Sequence, residues 1–91
     1  MRFLIEIEHE ATEEACLTAM ETIRATGSHF LTNADWGCES GEHKCWAIVE
    51  VDSKRDARAI LPPVYRQEAK IIKLIKYTPD KIEKSIESKQ Y

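Results

Sequence analysis

Residues 2 to 9 alternate between two kinds of side chain, with Phe3, Ile5, Ile7 and His9 on one side and Leu4, Glu6, Glu8 and Glu10 on the other. A period of two predicts a strand with one apolar face. The period then changes. Thr12 offers a helix N-cap, Glu13 and Glu14 suit the first turn of a helix dipole, and Gly27 offers a C-cap. Between these ends Cys16, Ala19, Met20 and Ile23 fall on one narrow stripe that predicts a helix lying on a sheet, with Leu17 the one large apolar residue off it.

From His29 to Asp52 the pattern predicts a β-hairpin with a two-residue turn at Ser40-Gly41. That turn sets Glu39 opposite Glu42, Cys38 opposite His43, Trp36 opposite Cys45, Ala34 opposite Ala47, Thr32 opposite Val49 and Phe30 opposite Val51. A slip of one residue would send this set to the other face, so the agreement of successive pairs argues for the register. The second face then carries His29, Leu31, Asn33 and Asp35 on one strand and Lys44, Trp46, Ile48 and Glu50 on the other.

Ser53 caps a second helix, with Asp56 as capping-box partner and Ala57, Ile60 and Leu61 on its buried side. Pro62-Pro63 stops it. Val64 to Glu68 reads as a short link into a last strand, Ala69 to Tyr77, and Thr78-Pro79 starts a tail helix with Ile82 and Ile86 on one side that frays near Ser88. The order β-α-β-β-α-β predicts an α+β domain over residues 1–80 with a helical tail over 81–91. Its sheet is four-stranded and antiparallel, both helices lie on one face, and the first and third strands are central.

Two helices cover one side of such a sheet. Leu4, Glu6, Glu8, His29, Leu31, Asn33, Trp46, Ile48 and, from the last strand, Lys73, Ile75 and Tyr77 are expected on the open side. So much apolar surface predicts a homodimer packed sheet to sheet.

Composition narrows the choice of partners. The chain is 43% hydrophobic and 32% charged with a net charge of −3, which sets no field for nucleic acid. No apolar run reaches the ~20 residues that span a bilayer, so no membrane, leader or anchor is expected. Three cysteines without a leader argue for free thiols in a cytoplasmic protein. Cys38 and Cys45, as diagonal neighbours at ~7 to 8 Å, are too far apart for a disulfide. With no P-loop, no G-x-G-x-x-G and no nucleophile elbow, no cofactor of its own is expected.

The run Cys38-Glu39-Ser40-Gly41-Glu42-His43, the strand Trp46-Ala47-Ile48-Val49-Glu50 and the stretch Leu61-Pro62-Pro63 leading to Arg66 resemble small uncharacterised proteins of the dimeric α/β-barrel group, which has a ferredoxin-like fold. Muconolactone-isomerase-like and antibiotic-monooxygenase-like proteins belong to that group. The resemblance covers most of residues 1 to 80 and implies a barrel formed by two copies. Such folds host many reactions, so function is argued from the site.

The chain offers three candidate sites. Glu6 and His29 could do the acid-base work of a cofactor-independent isomerase or lyase, in a cavity between two sheets where an apolar setting raises a carboxylate's pKa. Alternatively, Glu6 pairs with Lys73 or Lys44. An apolar or aromatic small molecule held between the sheets would meet Leu4, Leu31, Asn33, Trp46, Ile48 and Lys73, with Arg66 beside Pro62-Pro63 and Tyr65 at the mouth. The bland reading of that last stretch is a helix stop. Cys38, His43 and Cys45 gather soft ligands near the hairpin tip, where Cys38 and His43 are the candidate metal ligands and Cys45, if it faces the helices beside Trp36, reads as a small core residue. His9, beside Glu8 and Glu10, reads most simply as a solvated strand end, the alternative being a histidine that binds a metal ion near those carboxylates. A metal-binding or pure interaction module is therefore the third functional class.

Overall fold

The most apolar row in the chain runs down the odd positions of β1 (Arg2–Glu8), and burying it draws the other elements together. A computed structural model describes residues 1–26 and 33–88. After β1 come α1 (Glu13–Thr26), β2 (Asp35–Trp36), β3 (Lys44–Glu50), α2 (Lys54–Ile60), β4 (Lys70–Leu74) and α3 (Pro79–Ser88). The strands form one antiparallel sheet in the order β2-β3-β1-β4. Phe3, Ile5 and Ile7 of β1 join Cys45, Ala47 and Val49 of β3 and Ile71 of β4 in one layer, which meets Ile23 of α1 and Ala57 and Leu61 around α2. Burying one isoleucine or leucine fully is worth about 1.5 to 3 kcal/mol, so this layer is the main source of stability.

Local signals set the helix starts. Thr12 Oγ1 accepts from Ala15 N at 3.0 Å, Ser53 Oγ from Asp56 N at 3.0 Å, and Thr78 Oγ1 from Lys81 N at 3.2 Å. Gly27, Phe30 and Thr32 lie outside the described residues.

The hairpin keeps its predicted register where it pairs, with Trp36 opposite Cys45 and Asp35 opposite Trp46. Its tip differs. Gly37 donates to Lys44 O at 3.0 Å and accepts from Ser40 N and Glu42 N, both at 3.0 Å, so residues 38–41 form a loop around a 3-10 turn at Cys38–Ser40. The expected pairs Cys38/His43 and Glu39/Glu42 are not rungs of the ladder. Gly41, at φ 85°, closes that turn through its N–H to Cys38 O, and so ends the pairing earlier than a two-residue turn would.

The last strand is shorter than the expected Ala69 to Tyr77. Leu74 already stands opposite Arg2 at the start of β1, so residues 75–77 find no strand partner among the described residues. Lys73 stands opposite Phe3 and therefore edges the helix-facing side, not the open face. Ile75 and Tyr77 are exposed beyond the sheet. No residue of α3 is buried, and Lys81 lies over the Tyr77 ring at 4.8 Å.

The tip and the core each provide a test. A Cβ on Gly37 would come within 2.8 Å of Glu42 O and 2.9 Å of the Trp46 ring, whereas one on Gly41 meets open space and only the φ is strained. Gly41→Ala should cost about 1 kcal/mol in urea unfolding. Gly37→Ala should cost more, roughly 2 to 3 kcal/mol, because backbone has to move. Burial pushes the Cys45 thiol up from 9.0 to about 11, with a hydrogen bond involving the Ile7 backbone pulling the other way. The folded state thus holds this proton more tightly than the unfolded chain does. The resulting stability is complete below pH 9 and is lost as pH rises through about 11. Cys45→Ala should lower stability at neutral pH by about 1 kcal/mol and fall less steeply than wild type across that alkaline window.

Candidate functional site at the hairpin tip

The β1–β3 ladder continues one rung beyond Glu8 and Lys44, with His9 N donating to His43 O at 3.0 Å. Because side chains alternate, His9 extends the row of Phe3, Ile5 and Ile7 and leaves the sheet on the helix side. It is half-buried, with its ring edge-on to His43 at 5.7 Å between centroids and 6.4 Å from Trp36. The chain then turns directly into α1, which buries Cys16 at the head of its apolar stripe. Cys38 opens the 3-10 turn at the tip.

Three elements therefore deliver His9, Cys16 and Cys38 to one point, where the ligand atoms of all three lie within 4.8 Å of one another. His9 Nε2 is 3.2 Å from Cys38 Sγ. Its Nδ1 is 2.9 Å from the carbonyl of Glu10. A carbonyl can only accept, so in the neutral imidazole the proton sits on Nδ1 and the Nε2 lone pair faces the sulfurs.

Cys16 and Cys38 are joined as a disulfide across 22 residues of sequence. This corrects the expectation of three free thiols, since only Cys45 is free, and it is buried in the core. Cys45 accordingly takes no part in the cluster.

An open cleft of about 340 Å³ runs between α1 and the tip, with Cys16, Leu17 and Met20 on one wall and Cys38, Glu39 and His43 on the other. His43 Nδ1 is buried and has no hydrogen-bond partner among the described residues. A second cleft is lined by His9 with Glu8, Glu10 and Glu68. The surroundings are thus acidic and favour a cation.

The other candidate residues lie elsewhere. Glu6 is half-buried on the open face, where its carboxylate accepts from Trp46 Nε1 at 3.0 Å. The lysine opposite it is Lys70, in place of the expected Lys73 or Lys44. Leu4 and Trp46 are half-buried beside it, while Ile48 and Ile72 are 54% and 40% exposed. Asn33 is exposed in the turn before β2. His29 and Leu31 lie outside the described residues. Arg66 is turned onto α2, donating from Nε to Leu61 O at 2.9 Å and from Nη2 to Ala59 O at 3.3 Å. Its guanidinium satisfies the last carbonyls of a helix that Pro62 cannot continue.

Sequence reasoning placed Cys38 and His43 at the tip but missed Cys16, which reads as one more small apolar residue on a helix stripe. The available signal was that His9 ends an apolar strand row and Cys16 begins an apolar helix row, so both had to meet the same layer. Compared with family models, curated proteins and solved structures, the chain matches none, so what it does has to be read from these side chains.

Proposed function

We propose that the chain binds a soft divalent metal ion such as zinc through His9, Cys16 and Cys38 in their dithiol form. The observation that carries this reading is the geometry of His9: its Nδ1 lies 2.9 Å from the Glu10 carbonyl and its Nε2 lies 3.2 Å from the Cys38 sulfur, with the Cys16 sulfur within 4.8 Å. Metal-bound histidines are oriented by a partner of this kind on the other ring nitrogen. Zinc takes sulfur at about 2.3 Å and imidazole nitrogen at about 2.0 Å, which sets tetrahedral ligand atoms roughly 3.5 Å apart. The 3.2 Å between Nε2 and the Cys38 sulfur is close to that spacing. Two thiolates would balance the ion's charge, and the cleft that borders Cys16 and Cys38 is also lined by His43.

A second reading rests on the opposite face. Exposed Ile48 and Ile72 flank half-buried Leu4 and Trp46 on the two central strands and β4, a patch suited to a second copy of the chain or to an apolar small molecule held between two sheets. The dimeric barrel and ferredoxin-like assembly implied by resemblance belong to this reading. So does an isomerase or lyase chemistry using Glu6 with His29.

Cobalt titration of the reduced protein should show one ion per chain and a thiolate-to-metal charge-transfer band. His9→Ala and Cys16→Ser should each weaken binding by more than about 100-fold, and a chelator should lower the melting temperature of the loaded protein. Absence of stoichiometric uptake by reduced wild type removes the metal reading. For the open face, sedimentation should find wild type dimeric at tens of micromolar and Ile48→Glu monomeric with its fold intact. A monomeric wild type rejects the second reading.

A further inference from the structure

We infer that Cys16 and Cys38 form a reversible disulfide that closes and reopens the metal site, so that the thiol redox state of the surroundings sets ion binding. The inference rests on the metal reading above and adds its control. The same two sulfurs belong to the disulfide and to the cluster with His9 Nε2, so a bond between them removes both thiolates from the ligand set at once. One imidazole is left, which is too little to hold zinc against water.

Access is graded. Cys38 is half-buried at the cleft wall and next to exposed Glu39, Ser40 and Gly41, whereas Cys16 is 6% exposed. An incoming oxidant therefore meets Cys38 first, and Cys16 is the resolving sulfur behind it. Cys45, 2% exposed within the core, stands apart from the exchange.

With a small-molecule disulfide as oxidant, the Cys38 thiolate attacks one of its sulfurs. The oxidant's S–S bond breaks, and the first thiolate leaves and takes a proton from water. A mixed disulfide now stands at Cys38. Cys16 attacks the Cys38 sulfur, expels the second thiolate, which is also protonated, and closes the Cys16–Cys38 bond. Two protein thiolates have lost two electrons, the oxidant has gained them with two protons, and the ion departs with its charge of two. A dithiol reductant reverses the exchange and restores both ligands.

The test uses the full chain loaded with zinc in its reduced form. Adding oxidised glutathione should release one zinc per chain to a chromogenic chelator, peptide mapping should find Cys16 joined to Cys38, and dithiothreitol should restore binding. Cys45→Ala should behave as wild type, and His9→Ala should still form the disulfide while binding no zinc. If the oxidised chain holds zinc as tightly as the reduced one, the gate falls and Cys16 and Cys38 are not the ligands; if oxidation joins Cys38 to Cys45 or joins no pair, the gate is overturned while the metal site stands. If the reduced chain never takes up zinc, the gate falls together with the site.

Discussion

Seven consecutive rungs join β1 to β3, from Arg2 opposite Glu50 to Glu8 opposite Lys44, and the remainder of the molecule is arranged around that register. It places Phe3, Ile5 and Ile7 beside Val49, Ala47 and Cys45, which makes one face of the central strands continuously apolar. A slip of one residue would turn this row to solvent and set glutamates against the helices. The same register carries His9 to His43 one rung later, so the site is an extension of the core-facing row and not a separate device.

What distinguishes the tip from the rest of that row is a change of chemistry in an unchanged geometry. Where isoleucine and valine would continue the core, imidazole and sulfur appear, at the one end of the sheet where α1 begins and the hairpin turns back. A cross-link here closes the chain between residues 16 and 38 and, on the loop-entropy account, stabilises by about 3 kcal/mol. That is a large share of the roughly 5 to 15 kcal/mol that holds a typical domain together. A metal ion bound by the reduced pair would tie the same two elements and so would keep α1 fastened to the tip as the cross-link does.

The opposite face has a different character. Trp46 and Glu6 are paired with each other across β1 and β3, which satisfies the indole N–H and anchors a carboxylate in partly apolar surroundings. Around them Ile48 and Ile72 remain exposed, and α3 presents Ile82 and Ile86 to solvent as well. The His9, Cys16 and Cys38 cluster and the Ile48 and Ile72 patch thus lie on opposite sides of the sheet.

The periods of two and of three to four in the chain, with the caps at Thr12, Ser53 and Thr78, were enough to determine the order of elements, the helix starts and the two faces of the central strands; they did not determine the start of β2, which begins only at Asp35, after a turn at Asn33. These depend on neighbours a few residues apart, where backbone geometry and hydrogen bonding are local. Where a partner was needed the sequence was silent: the end of β4 depends on where β1 runs out, Lys73 changes face with it, and Arg66 is engaged by carbonyls of the helix before it. The meeting of Cys16 with Cys38 and His9 belongs wholly to the tertiary structure. Each of the three reads locally as the end of an apolar row or the start of a turn, and only the docking of α1 onto the sheet brings their ligand atoms to one point.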